Sequence, residues 1–233
     1  MKRSIALAAM LSSLAFAATP TYAADETEAV ETPTGFDVAI GVAFTSNYVS
    51  RGVTQTEDKP AIQGYVEASY GIGYIGVWAS NTSFDDVWDP DMEVDFYGGI
   101  RPEFGDLSLD FGFAQYYYPD YPDEDYGELY AKASYAFTDM FSLGGEYYRE
   151  VYNDANWAYL TTEIALPEEF TFSGKVGTDF ENDGRIAWDA GVSRTFMDTA
   201  TIDLRYYDSN MDPAKFVATL SFDLSLSSLM SGK

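Results

Sequence analysis

Apolar and polar side chains alternate one by one along most of this chain. The first run is the clearest, because Phe36, Val38, Ile40, Val42 and Phe44 are separated by single small or acidic residues. A period of two residues places successive side chains on opposite faces of a β-strand. Such a strand separates two different surroundings, so the chain is predicted to be all-β.

The same alternation recurs in eleven later segments and predicts twelve strands. The predicted strands are 36–49, 61–70, 74–82, 92–101, 106–117, 126–137, 140–151, 156–166, 169–179, 185–196, 199–208 and 215–225. Most span about ten residues, the length that a tilted strand needs to cross a bilayer. The pattern predicts a transmembrane antiparallel up-and-down β-barrel, although the weaker run 74–82 leaves the direction of Trp78 open.

The connections between the predicted strands alternate in length and charge. The short ones are 71–73, 102–105, 138–139, 167–168 and 197–198, and the longer, Asp-rich ones are 51–60, 82–91, 118–125, 152–155, 180–184 and 210–213. Outer-membrane barrels have short periplasmic turns and longer outer loops. We therefore expect both termini on the periplasmic side and an acidic rim outside. Hard-cation binding at Asp85 to Asp91 is the weaker alternative, because no EF-hand spacing is present.

The chain divides into four predicted parts. Residues 1–23 have a basic start, a short apolar stretch and small residues before a cut after Ala23, which indicates a signal peptide. Residues 24–35 form an acidic leader, predicted to be a disordered periplasmic segment. Residues 36–225 form the barrel. Residues 226–233 form a tail, either a strand extension or a frayed end.

A soluble β-barrel with its apolar face inward would give the same alternation. The signal peptide and the small residues on the polar face favour the membrane instead. Aromatic residues near strand ends also favour it, since they could form interfacial girdles. The candidates for these girdles are Tyr48, Tyr70, Tyr74, Phe137, Tyr147 and Trp157.

Composition limits the chemistry that this chain can perform. The net charge is −25 and becomes −27 without the signal peptide, which predicts no binding to nucleic acid. Cys and His are both absent, so thiolate metal sites and His-dependent hydrolysis are excluded. Glu93 and Asp95 share one strand face and could form an acid–base pair, but a charged wall is the favoured interpretation. We expect no enzyme activity, no cofactor and no metal.

Charged residues on the face opposite the apolar one are predicted to line the barrel interior. A charge facing lipid would cost about 2–4 kcal/mol at the bilayer midplane. The predicted pore-lining residues are Arg51, Glu67, Glu93, Asp95, Arg101, Asp110, Glu128, Lys132, Glu146, Glu163, Lys175, Asp189, Asp203 and Arg205.

Two arrangements of this interior remain open. The charged wall either frames a narrow aqueous pore or fills the interior together with tyrosines, and the pore is favoured. Lys132, Lys175 and Arg205 are expected to pair with acids on neighbouring strands. Arg51, at the outer end of the first strand, is either a selectivity residue or a brace for the first loop.

One stretch of the chain resembles a known family. The segments SNYVSRG at 46–52, TQ at 54–55, KPAIQG at 59–64, WASN at 78–81 and EVDFYGG at 93–99 resemble the TorF-type porin family of proteobacterial outer-membrane proteins. The similarity is dense over 36–118 and looser afterwards. It implies an outer-membrane barrel, most simply a channel, and implies no particular solute.

The sequence thus predicts an outer-membrane porin for passive diffusion of small polar solutes, favouring cations or zwitterions. The alternative is a non-conducting structural or adhesive barrel that acts through its acidic outer loops. The expected partners are outer-membrane lipid and lipopolysaccharide, the solutes, and the outer-membrane assembly machinery, which would read an aromatic signal near Phe222 in the last strand.

Overall fold

The computed structural model describes residues 35–84, 89–119, 121–152, 155–180, 184–197 and 199–231. These residues form long strands, three two-residue strands, one 3-10 turn and one short helix. The strands are β1 (Phe36–Thr45), β2 (Val49–Ser50), β3 (Val53–Thr54), β4 (Ala61–Tyr70), β5 (Gly73–Asn81), β6 (Met92–Ile100), β7 (Glu103–Phe104), β8 (Leu107–Tyr117), β9 (Tyr126–Thr138), β10 (Phe141–Glu150), β11 (Asn156–Leu166), β12 (Phe170–Asp179), β13 (Ile186–Phe196), β14 (Ala200–Ser209) and β15 (Lys215–Ser225), with helix α1 (Leu226–Ser231) and the 3-10 turn Pro122–Glu124.

The twelve long strands form a closed antiparallel barrel. Each long strand pairs with its neighbour in the chain, apart from the short strands between them. The barrel closes because β1 pairs with β15, with Thr45 opposite Thr219 and Ala39 opposite Ser225. The pair β6 and β8 keeps the wall continuous past the two-residue strand β7. Closure removes the unpaired edges that an open sheet would present. The predicted twelve-strand barrel is confirmed.

The predicted strand bounds agree with the structure to within one or two residues, with one exception. The first strand ends at Thr45 rather than at residue 49, because the chain then turns into the barrel interior. In addition, the predicted turn 102–105 contains the short strand β7. The connections alternate between short and long as predicted, so one end of the barrel carries turns and the other carries loops. We call them the turn end and the loop end.

The outer face of the barrel is apolar and the inner face is polar. Along β4, Ile62 and Val66 are 60% and 52% exposed, while Ala61 and Tyr65 between them are 2% and 9% exposed. The same alternation continues around the wall. A soluble barrel with an apolar interior would have the opposite arrangement, so that alternative is wrong. A continuous apolar surface of this size needs an apolar environment to cover it.

Three of the six predicted girdle aromatics lie inside the barrel instead. Tyr70, Phe137 and Tyr147 are exposed on the outer face, as predicted, but Tyr74 and Trp157 are inward-facing and only 5% and 1% exposed. Tyr74 shares the inward face with Trp78, which settles the direction of that tryptophan. Tyr48 lies in the segment that enters the barrel.

The described part of the tail, Leu226–Ser231, is helical rather than an extended or frayed strand. Helix α1 follows β15 directly. The backbone N–H and the hydroxyl of Ser227 donate to the two carboxylate oxygens of Asp37, at 2.9 and 2.7 Å. These bonds attach the tail to the first strand at the turn end. Within the described part of the chain, no helix is both long enough and apolar enough to cross a membrane. The predicted signal peptide and all of the acidic leader except Gly35 fall outside the described residues.

Candidate functional site

The interior of the barrel at the loop end is occupied by a segment of the first loop. We call residues 47–56 the inner hairpin; it consists of β2, β3 and the residues around them. Gln55 and Thr56 are completely buried, and Tyr48 and Arg51 are 5% exposed. The predicted outer loop 51–60 therefore does not lie wholly outside, because its residues 51–56 enter the barrel. This segment therefore occupies part of the barrel interior.

A tight two-residue turn allows this hairpin to form. Arg51 and Gly52 both have positive φ, at 49° and 79°, and they link the paired residues Ser50 and Val53. Positive φ at both central residues is the feature of a type I′ turn, whose twist matches that of two antiparallel strands. Gly52 adopts this conformation without steric cost, whereas Arg51 is held in it by its contacts.

Side-chain hydrogen bonds fix the base of the inner hairpin. The backbone N–H of Gln55 donates to the carbonyl of Tyr48 at 2.7 Å. The amide oxygen of Asn47 accepts from the hydroxyls of Thr54 and Thr56, at 2.7 and 3.0 Å. The backbone N–H of Tyr48 donates to the Thr56 hydroxyl. These bonds satisfy polar groups that would otherwise be buried without partners.

The inner hairpin reaches from one side of the barrel to the other. The ring of Tyr48 meets Trp78 of β5 edge to face, with the ring centroids 5.5 Å apart. At the far side, the carbonyl of Gly52 accepts a hydrogen bond from the Ser209 hydroxyl of β14 at 2.9 Å. The strand order places these two wall strands well apart around the barrel. The hairpin therefore crosses the lumen and does not line only one side of it.

Arg51 is the principal charged contact of the hairpin tip. Its Nη2 lies 3.0 Å from both carboxylate oxygens of Glu128 on β9. Its guanidinium also lies 5.2 Å from the ring centroid of Tyr148 and 5.6 Å from that of Trp157. Burial, the largest single influence, acts to lower the pKa of Arg51, but the charge of Glu128 and the neighbouring tyrosines together raise it above the ordinary value. Arg51 thus stays charged and joins the first loop to an acid of the wall, while its role as a selectivity residue or as a brace stays a prediction.

The wall around the hairpin tip is almost completely buried. We call this region the neck; its members are Arg51, Glu93, Asp95, Tyr116, Glu128, Tyr148 and Trp157, none more than 5% exposed. The Tyr116 hydroxyl donates to Glu128 at 3.0 Å. Both carboxylate oxygens of Asp95 are buried and accept no hydrogen bond within the described part of the chain. Glu93 is the acid that interacts most strongly with Asp95.

The wall towards the turn end is more open and has its own ion pairs. Arg101 binds Glu67 through two bonds of 2.6 and 3.0 Å, and its Nε lies 3.5 Å from Asp110. The guanidinium lies 3.6 Å from the centroid of the Tyr74 ring. Burial, the largest single influence, acts to lower the pKa of Arg101, but Glu67, Tyr74 and Asp110 together raise it above the ordinary value. All of these side chains except Tyr74 are half-buried, so this half of the lumen is accessible.

Basic residues on the remaining strands interact with acids, as predicted, and also with tyrosine rings. Arg205 lies 2.5 Å from Asp189 on the neighbouring strand β13 and 3.0 Å from Asp203. Lys132 and Lys175 interact with Glu146 through their charges, and their ammonium groups lie over tyrosine rings at 5.0 and 4.8 Å. These contacts hold the inner wall together across strands β9 to β14.

The predicted wall residues all lie on the inward side of the barrel. Five of them are buried: Arg51, Glu93, Asp95, Glu128 and Asp189. The other nine are half-buried: Glu67, Arg101, Asp110, Lys132, Glu146, Glu163, Lys175, Asp203 and Arg205. Whether this wall surrounds an open pore stays a prediction. The predicted acidic rim falls partly on Asp85, Asp86, Asp120, Asp154, Glu181 and Asp183, which lie outside the described residues.

Sequence reasoning missed the aromatic half of the neck and the hairpin itself. Tyr148 and Trp157 share the inward face with predicted residues, and strand parity would have identified them. The signal for the hairpin was the Arg-Gly pair between Val49 and Val53, since glycine after a polar residue favours a two-residue turn.

Three solved structures share this fold. The KdgM porin has a TM-score of 0.60 at 6% identity, covering 80% of this chain and 98% of that chain. The KdgM porin in complex with disordered oligogalacturonate has a TM-score of 0.55 at 8% identity, covering 81% and 97%. The NanC porin has a TM-score of 0.54 at 12% identity, covering 82% and 100%. At these identities the similarity establishes the fold.

Comparison at the level of sequence gives the family. No curated protein matches this chain. A family profile described as "Bacterial protein of unknown function (Gcw_chp)" matches residues 29–229, which is nearly the whole chain and includes the entire barrel. The chain therefore belongs to the Gcw_chp family of bacterial proteins.

Proposed function

We propose that this protein is an outer-membrane channel for passive diffusion of small polar solutes, with a preference for cations or zwitterions. The observation that carries the proposal is a closed twelve-strand barrel with an apolar outer face and a charged inner wall. Barrels of this size lie between filled eight-stranded barrels and open porins. The fold shared with the KdgM and NanC porins and the resemblance to TorF-type porins support the same function.

Conductance in a planar bilayer tests this proposal. A channel should give discrete current steps after the refolded protein is added, and the steps should be small because the inner hairpin narrows the neck. A change in gel migration on heating shows that the barrel is folded. A folded barrel that gives no current steps would contradict the proposal. That result would favour the second candidate, a non-conducting barrel acting through its acidic loops, which the buried neck supports.

Ion preference should depend on the two acids of the neck on β6. Replacing Glu93 by Gln and Asp95 by Asn removes the acidic pair from the neck, and local charge in a pore sets its ion selectivity. We expect the ratio of cation to anion permeability, measured as a reversal potential in a salt gradient, to fall several-fold. The matched control is Glu103→Gln with Asp106→Asn, which removes two exposed charges at the turn end. Equal shifts in both variants would refute a role for the neck.

We place the barrel in the outer membrane, with residues 1–23 removed on export, residues 24–35 as a periplasmic leader and the acidic loops outside. The apolar outer face and the basic start of the chain support this placement. Lipid and lipopolysaccharide would then surround the barrel, and the assembly machinery would insert it. Cell fractionation, with N-terminal sequencing of the mature protein, tests it, and a start at Ala24 is expected.

A charge introduced on the outer face provides a second test of membrane placement. Val66 lies in the middle of β4 and faces outward. Val66→Arg should lower the free energy of unfolding in lipid vesicles by about 2–4 kcal/mol. Tyr70→Arg, on the same face at the end of the strand, should cost only about 0–1 kcal/mol because the side chain reaches the interface. If Val66→Arg cost no more than Tyr70→Arg, the outer face would not be in lipid.

A further inference from the structure

Four hydrogen-bond donors in the neck and in Tyr159 beside it have no acceptor within the described part of the chain. They are the Nε and Nη1 nitrogens of Arg51, the indole Nε1 of Trp157 and the hydroxyl of Tyr159. These side chains are 5%, 1% and 5% exposed. Buried donors without a partner are rare because each forfeits the hydrogen bond that water would have provided. Such a group indicates an acceptor outside the described residues, and because these side chains face the interior of the barrel we take it to be a solute there.

The four donors belong to one continuous cluster. Trp157 and Tyr159 are two residues apart on β11 and share its inward face, with their rings stacked 5.8 Å apart at 17°. The guanidinium of Arg51 lies 5.6 Å from the Trp157 ring centroid. The same wall therefore presents a cation, an N–H and an O–H beside stacked aromatic rings. We call this set, Arg51, Trp157 and Tyr159, the donor cluster.

The acceptors nearest to the donor cluster are already used. Both oxygens of Glu128 accept from Nη2 of Arg51, and one also accepts from Tyr116. Glu146 accepts from the Tyr148 hydroxyl at 2.8 Å and is balanced by Lys132 and Lys175. Arg51, Lys132 and Lys175 face Glu128 and Glu146 in this sector, and the next acid, Asp189 opposite Lys175, is bound by Arg205. An acceptor-rich anionic group is the ligand chemistry that fits this sector.

Another part of the neck has hydrogen-bond acceptors that lack a donor. Asp95 on β6 is 1% exposed, and neither of its carboxylate oxygens accepts a hydrogen bond within the described part of the chain. Strand β6 is separated from β11 by β8, β9 and β10 in the barrel wall. The neck thus presents donors without acceptors beside a cation on one sector, and on another the adjacent acids Glu93 and Asp95, which interact with each other. A solute with a negative and a positive end satisfies both.

We propose that the neck is a binding site for a small zwitterion, an amino carboxylate, whose carboxylate is held by the donor cluster and whose ammonium group is held by Asp95. The inference rests on the proposed channel function for entry of the solute, and it narrows the solute class from cations or zwitterions to zwitterions. Simple cations satisfy only Asp95, and simple carboxylates satisfy only the donor cluster.

Calorimetric titration of the refolded barrel in detergent micelles tests the site without requiring conduction. The probes are the ω-amino acids glycine, β-alanine, 4-aminobutyrate and 6-aminohexanoate, whose end groups lie progressively further apart, with butyrate and butylamine as single-charge controls. We expect saturable binding with an optimum chain length, and about tenfold weaker binding of either control. No saturable binding of any ω-amino acid, or equal binding of butyrate, would overturn the proposal.

Variants that keep the rings assign the contacts. Trp157→Phe with Tyr159→Phe removes two donors while retaining the aromatic surface, and should weaken the best ω-amino acid about tenfold. Trp188→Phe, on the exposed outer face of β13, is the matched control and should change nothing. Asp95→Asn should reduce the affinity for the zwitterion to that for butyrate. Unchanged affinity in the first or last of these variants would refute the assigned contact.

The two proposals fail in different ways. Current steps without zwitterion binding would refute the site and leave the channel intact. Zwitterion binding without current steps would support the site and refute the channel.

Discussion

Replacing Arg51 by Ala should increase the single-channel conductance several-fold. The substitution removes the only charged contact that we find between the tip of the inner hairpin and the wall within the described residues, and leaves Glu128 buried without its cation. Breaking a buried ion pair by removing one partner costs roughly 3–5 kcal/mol. Because the hairpin is not part of the barrel wall, most of that cost should appear as undocking of the hairpin and not as unfolding of the barrel.

Hydrogen exchange measures the undocking directly. The amide of Gln55, which donates to the carbonyl of Tyr48, should exchange much faster in Arg51→Ala, while amides of the barrel strands should not change. Adding Glu128→Gln to the same chain should restore part of the protection, since it removes the unpaired buried charge.

A second arginine provides the matched control. Arg101→Ala also removes an ion pair of the inner wall, with Glu67, but this pair lies at the turn end and does not touch the hairpin. It should leave the exchange of Gln55 unchanged. If Arg51→Ala altered neither conductance nor exchange, Arg51 would not hold the hairpin in the lumen.

Adding a single methyl group at Gly52 should displace the hairpin as effectively as losing Arg51. A Cβ at this position would lie 2.5 Å from the Cβ of Ser209 and 2.9 Å from that of Ala187, and the φ of 79° would be strained for any other residue. The tip cannot approach the wall strands β13 and β14 with this substitution. Gly52→Ala is therefore expected to raise the conductance and to speed exchange at Gln55.

Gly71 separates backbone strain from steric contact. It also has positive φ, at 56°, but a Cβ there would have nothing within 4 Å. Gly71→Ala should cost about 1 kcal/mol, the penalty of a left-handed conformation, without any change in conductance. If Gly71→Ala and Gly52→Ala had the same effect on conductance, the close approach of the hairpin to the wall would not be what narrows the channel.

The barrel could be predicted from the sequence because its determinants are local. Alternation assigns each residue of a strand to one face, so the bounds of β4 and the inward direction of Glu93 and Asp95 follow from sequence position alone. The placement of both termini at one end follows from the even number of strands and the alternating connections. These features need no knowledge of which distant residues meet.

The neck could not be predicted because its determinants are long-range. Arg51 and Glu128 are 77 residues apart, and no local pattern indicates that they pair. The same alternation that predicted the strands continued through Val49, so the departure of the chain from the wall after Thr45 was missed. The aromatic girdle was partly wrong for a related reason. Aromatic residues serve both interfaces and crowded interiors, and only strand parity distinguishes Trp157 from Tyr147.

The central claim is that this barrel conducts through a lumen narrowed by its own first loop. Single-channel recording of the natural sequence and of Arg51→Ala, refolded identically and studied in the same lipid, tests it most directly. We expect small, discrete current steps for the natural sequence and larger current steps for the variant. If both proteins fold, as shown by their heat-modifiable migration on gels, but neither gives current steps, the claim that the barrel conducts is contradicted.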